Sequence, residues 1–167
     1  MGKFLGMITK LIVVLLVGIA LYIAVVGRDR ILEIVFGPVV VKPIDFASLV
    51  LGPNPNQYLV CPKDYCASDP HLTSPSFAQS AQELKESWMT MVEAQPRIEK
   101  GAADDTALQY DFIQRTEWVR YPDSITVRFI PLGETSSTLA IYSRSHYGKS
   151  DFGVNKERIT SWLELLK

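Results

Sequence analysis

The sequence predicts an α+β protein: a single N-terminal transmembrane helix, then a small domain with two helices packed on one face of a three- to four-stranded antiparallel sheet. Three observations carry this expectation. Residues 11–27 read LIVVLLVGIALYIAVVG without a charge. Two later segments, 76–95 and 151–166, repeat apolar residues at helical spacing. Between them, three stretches alternate apolar and polar residues, the period of strands with one buried face.

The uncharged run covers about 25 Å as a helix, and extending it back to Phe4 gives about 36 Å, which brackets a hydrocarbon core of about 30 Å. Lys3 and Lys10 flank one side; Arg28, Asp29 and Arg30 close the other. The competing reading is a cleaved signal peptide, with Val25-Val26-Gly27 as its cleavage triplet. Its apolar run is long for a signal, and no A-x-A triplet follows. A buried helix of a soluble core would need lipid-like surroundings on every side. Cations on both flanks leave the positive-inside rule almost without a vote. A short N-terminal tail before a long C-terminal domain favours placing that domain across the membrane.

The expected division is 1–30 as anchor and flanks, 31–57 as an apolar juxtamembrane segment and linker, and 58–167 as the α+β domain. Ile31 to Val41 is apolar but broken by Gly37-Pro38, and 52–57 (GPNPNQ) reads as irregular chain. The first domain helix is expected over 76–95, with Ser76 as cap, Pro96 as stop, and Phe77, Ala81, Leu84, Trp88, Met91 and Val92 on its apolar stripe. Strands follow around Leu108–Phe112, Ile125–Phe129 and Leu139–Tyr142, with turns at Pro122-Asp123 and Leu132-Gly133-Glu134; 97–100 is a further candidate. The last helix buries Ile159, Trp162, Leu163 and Leu166.

The 167-residue chain has a net charge of −1, so it lacks the basic field that nucleic-acid binding requires. Its two cysteines, Cys61 and Cys66, bracket CPKDYC. A disulfide fits an oxidising compartment; a metal site adding His71 and a pair of free thiols are the other readings. No redox C-x-x-C is present.

The densest polar run is 143–155, SRSHYGKSDFGVN, with Arg158 one turn on. Strand parity points Ser143 and Ser145 toward the helices. Asn155 lies about 40° around the helix axis from Ile159, on the buried edge, where polar groups need partners. One reading is a buried hydrogen-bond network with Asp151 or Ser150 as helix cap. The other is a ligand pocket at the strand–helix junction, where helix amides, hydroxyls and Arg158 converge on an anion. Ligand or partner candidates are Arg144, Ser145, Tyr147, Ser150, Asp151, Asn155 and Arg158, with Arg128 on a neighbouring strand. Ser145 and His146 point to opposite faces and no G-x-S-x-G occurs, so no catalytic residue is assigned. The opposite sheet face, with Asp111, Arg115, Thr126, Arg128, Tyr142 and Arg144, reads as solvated or as a partner surface.

SRSHYGKSDFGVNKERI resembles the C-terminal signature of the domain-of-unknown-function family numbered 1499. NQYLVCPKDYC and HLTSPSF are similar to its N-terminal half, so the likeness spans about residues 45 to 167. It implies bacterial or chloroplast-related proteins, often with a membrane or export segment and without an assigned activity. Lys63, Asp64 and Tyr65 stand where the family often has a tighter Pro- and Asn-rich cysteine segment. The resemblance supplies no catalytic residues.

The leading expectation is therefore a non-enzymatic, membrane-anchored accessory or binding module that contacts a membrane-protein partner or lipid. It would be single-pass in the inner membrane, with its domain in the periplasm or an equivalent space. A domain binding a small anionic ligand or lipid head group at the junction is the second, and an enzyme of unknown reaction the third. No cofactor and no metal are expected.

Overall fold

The structure is a computed structural model that describes residues 2–166. Met1 and Lys167, the outer limits of the expected anchor and domain, and the Lys3 side chain of the expected basic flank lie outside the described residues. The chain divides into two compact units between Val39 and Val40.

In the first unit, α1 (Gly2–Val26) is continuous. Its apolar window, Phe4–Val26, is long and apolar enough to cross a membrane, and none of it is buried. A signal sequence meets the same criterion. Gly27 takes φ +84°, which ends that helix, and α2 (Arg28–Phe36) restarts at once.

The second unit is α+β, but its sheet is larger than expected. Six strands, rather than three or four, run β1 (Gln57–Cys61), β2 (Leu72–Thr73), β3 (Ile98–Asp104), β4 (Gln109–Arg115), β5 (Pro122–Pro131) and β6 (Ser137–Ser145). They are ordered β2-β1-β6-β5-β4-β3. The sheet is mixed rather than antiparallel, because β2 pairs with β1 in parallel. β3 to β6 form an antiparallel meander, and β1 returns antiparallel to β6.

α3 (Ala81–Glu93) and α4 (Val154–Leu165) bury Leu84, Trp88, Val92, Ile159, Trp162 and Leu163 against Val60, Phe112, Ile125, Val127, Phe129, Leu139 and Ile141. Trp88 is central, edge-on to both Phe129 and Trp162 at 6.1 and 5.6 Å. α3 starts later than expected. Ser80 caps it through a reciprocal box with Glu83, while Phe77 exchanges backbone bonds with Ser137 instead. Pro122 and Asp123 open β5 rather than form a turn; the turn lies at 116–121, closed by Thr116 N–H to Tyr121 O at 3.0 Å.

The opposite sheet face is only partly solvated. Asp111, Arg115, Thr126 and Tyr142 are buried there. Residues 44–51 and the cysteine loop lie across part of it, placing Phe46, fully buried, beside Leu59, Cys61, Ala140 and Tyr142. Gln109 Nε2 donates to Ile44 O (2.9 Å), Ala67 N–H to Phe46 O (3.1 Å) and Leu51 N–H to Ser68 Oγ (3.2 Å).

Candidate functional site

The 143–158 segment carries β6 over the sheet end and back as α4, and its polar side chains close on one another. Asn155 is fully buried. Its Oδ1 accepts from the Ser143 hydroxyl and from Arg158 Nη1 at 2.7 Å. Its Nδ2 donates to Asp151 Oδ2 (2.7 Å), Ser145 Oγ (3.2 Å) and Asn56 O (3.3 Å). Arg158 also donates from Nη1 to Ser143 Oγ (3.1 Å), from Nε to Gln114 (2.6 Å) and from Nη2 to Asp123 (2.6 Å). The Arg158 and Asp123 side chains are only 7% and 4% exposed, so this is a buried ion pair with hydrogen-bonded surroundings.

Asp151 occupies the N-terminus of α4. Its carboxylate accepts from the amides of Gly153 (3.0 Å) and Asn155 (2.8 Å). Burial pushes its pKa up, but these amides and the Asn155 side chain outweigh that and hold it below the ordinary carboxylate range. The helix terminus that the sequence offered to an external anion thus already holds one from the chain itself.

The structure gathers Ser145, Asp151, Asn155 and Arg158 into one network. The other candidates lie elsewhere. Ser150 Oγ, in the loop, accepts from Phe152 N–H at 3.3 Å. Tyr147 packs edge-on to Tyr121 with centroids 6.3 Å apart. Arg144 is on the opposite face, over the Tyr142 ring and donating to Ser124 Oγ at 3.4 Å. Arg128 is half-buried on that face. Cys61 and Cys66 are placed in bonding geometry, with Cα atoms 6.2 Å apart.

Sequence reasoning missed Asn56, Gln114 and Asp123, which come from distant strands and loops. His71, considered from sequence only as a metal ligand beside the cysteines, accepts from Leu59 N–H at Nδ1 (3.0 Å) and stacks its ring on Tyr58 (5.2 Å). The cysteines that a metal reading would join to it are instead bonded to each other. No metal-suited group of three His, Cys, Asp or Glu occurs among the described residues.

Beside the network, Gln57, Tyr58, His71, Asp151, Gly153 and Lys156 line an open cleft of about 340 Å³. It offers the Lys156 ammonium and the histidine as hydrogen-bond donors. The arrangement can bind; the Ser143 and Ser145 hydroxyls are both engaged with Asn155. Ser145 faces Asn155 across the helix-side network. His146 turns to the other face, where burial holds its pKa down.

The family model for DUF1499, described as a protein of unknown function, matches residues 47–166. No curated protein matches the chain. Among solved structures, the crystal structure of the di-domain ARO/CYC BexL from the BE-7585A biosynthetic pathway is similar with a TM-score of 0.43 and 14% identity. That match covers 57% of this chain and 44% of the other, so the chain spans less than half of its length.

Proposed function

We propose that this chain, which belongs to the DUF1499 family of proteins of unknown function, is a membrane-anchored extracytoplasmic binding module that contacts a membrane-protein partner or lipid. The observation that carries this reading is α1, whose apolar window has no protein surface around it. A helix apolar on all sides is stable in lipid and costly in water. The cysteine pair fits an oxidising space, so the domain is assigned to the periplasm or an equivalent compartment, with the anchor in the inner membrane.

Carbonate washing of membranes, followed by N-terminal sequencing, tests the anchor. The intact chain should stay in the pellet; a mature chain starting near Arg28 would sink the span. Alkylation without reductant should leave both cysteines unmodified, and two modified thiols would remove the argument for the compartment. Co-purification in mild detergent should then return a membrane protein or lipid, whereas turnover of a screened substrate by the purified protein would reverse the ranking.

A second reading is favoured by the cleft beside α4. Lys156 and His71 there suit a small anion or a lipid head group. Under it, Lys156→Ala abolishes phosphate binding without lowering the melting temperature.

A further inference from the structure

Three loops share one end of the sheet. β4 leaves at Arg115 opposite the entry of β5 at Pro122. β6 leaves at Ser145, the partner of Asp123, and β1 enters at Gln57, the partner of Arg144. Loops 52–56, 116–121 and 146–153 therefore lie together. They are tied by His146 N–H to Pro122 O (3.1 Å), by Asn56 Nδ2 to Gly148 O (2.8 Å) and by the Tyr121–Tyr147 pair.

This end carries aromatic side chains directed at solvent. Trp118 is 78% exposed and Phe152 96%, with Val119 and Tyr121 beside Trp118 also exposed. Phe152 sits at φ +55°, a backbone region unfavourable for a bulky residue. Its ring buries nothing in return, so the fold gains nothing from an aromatic there. Single exposed apolar residues are ordinary, but aromatics from two loops gathered at one end mark an interaction surface. In sequence, the exposed Lys149 stands three residues before Phe152 and Lys156 four after it, beside the carboxylates of Glu117, Asp151 and Glu157; Arg120 is ion-paired with Glu99 at 3.9 Å. Solvent-directed indole and phenyl rings with a lysine close in sequence match the boundary between acyl chains and head groups.

We propose that this end is a lipid-docking surface: Trp118 and Phe152 enter the headgroup–acyl boundary, and Lys149 meets lipid phosphates. The proposal rests on the anchored reading. With α2 helical, residues 27–39 reach about 28 Å at most, so a tethered domain stays close to the bilayer and even weak insertion is populated.

The full chain, reconstituted in phosphatidylcholine–phosphatidylglycerol vesicles with or without bromine on the acyl chains, tests this. Of the three tryptophans, Trp88 and Trp162 are buried, so contact quenching by bromine reports on Trp118. Brominated lipid should dim the parent chain. Trp118→Phe should abolish the lipid-dependent part, and Phe152→Ser should reduce it at least two-fold at an unchanged melting temperature. A carbonate wash separates the two layers of the argument. Release of the chain removes the anchor and this docking with it. A retained chain whose Trp118 is as open to aqueous acrylamide as in detergent overturns the docking alone. Trp118 shielded from acrylamide in native membranes, yet untouched by brominated lipid, assigns the surface to a protein partner and overturns the lipid assignment.

Discussion

Asn155 uses both ends of its side chain to hold α4 on the sheet, and neighbouring residues depend on it. Replacing it by alanine leaves the Ser143 hydroxyl short of an acceptor and Arg158 short of a partner inside the protein. Asn155→Ala should cost about 1–3 kcal/mol in urea melts, the range for orphaned buried polar groups. Arg158→Ala should cost more, about 3–5 kcal/mol, because it strands the buried Asp123 carboxylate. Equal stability of both variants with the parent would show that the network is dispensable to the fold. Asp151 adds a pH dependence of definite sign. Its folded pKa lies below its unfolded one, so its contribution is present above the ordinary carboxylate range and is lost as pH falls through the depressed folded value. Asp111 works the other way, since burial raises its pKa against the Thr126 bond and Arg144. Asp151→Asn should therefore be less stable than the parent at neutral pH, and the gap should narrow on acidification. A gap that stays constant into the acid range would assign the acid dependence elsewhere.

The segment around Phe46 shows what an element can do without regular secondary structure. Its ring is fully buried against Leu59, Ala140 and Tyr142, and a backbone bond from Ala67 N–H to its carbonyl fixes the chain there. Phe46→Ala should destabilise by about 3–5 kcal/mol in thermal or urea melts, as truncation of a core phenylalanine does; a change within 0.5 kcal/mol, the size of a surface effect, would deny this layer a structural role. None of this was legible in the sequence, because a covering segment with no period gives no signal beyond an isolated apolar residue. β1 was missed for a related reason: QYLVC is buried on both faces, so it shows no alternation. The edge strand β3 is almost wholly exposed and had only a short apolar start to reveal it. The helices were legible from their stripes. The start of α3 was available in the S-x-x-E box at 80–83, which outweighs a serine after proline. At the candidate site, parity and helical angle brought Ser143, Ser145 and Asn155 together correctly. Asn56 and Gln114 stand 99 and 44 residues from their partners, beyond any local pattern.

At the scale of the molecule, the extent of the folded unit follows from what covers the sheet. The compact second unit begins at Val40. A domain limit at residue 58, placed where the irregular stretch ends, would omit Phe46, Ile44, Leu49 and Leu51, all packed over β1 and β6. It would also remove Gln57, whose side chain accepts from Tyr142 Oη at 2.6 Å, and Asn56, which binds both Asn155 and the loop at Gly148. A domain of this size has a total stability of about 5–15 kcal/mol. The loss of Phe46 alone removes about 3–5 kcal/mol of that, and the remaining deletions expose Leu59, Ala140 and Tyr142 to water. A chain starting at Val40 should therefore melt cooperatively near the temperature of the full protein. One starting at Tyr58 should be insoluble, or bind a hydrophobic dye and melt without a sharp transition. If the shorter chain instead melts as sharply and as high as the longer one, residues 40–57 are a tether and not part of the fold, and the second layer over the sheet contributes nothing to its stability.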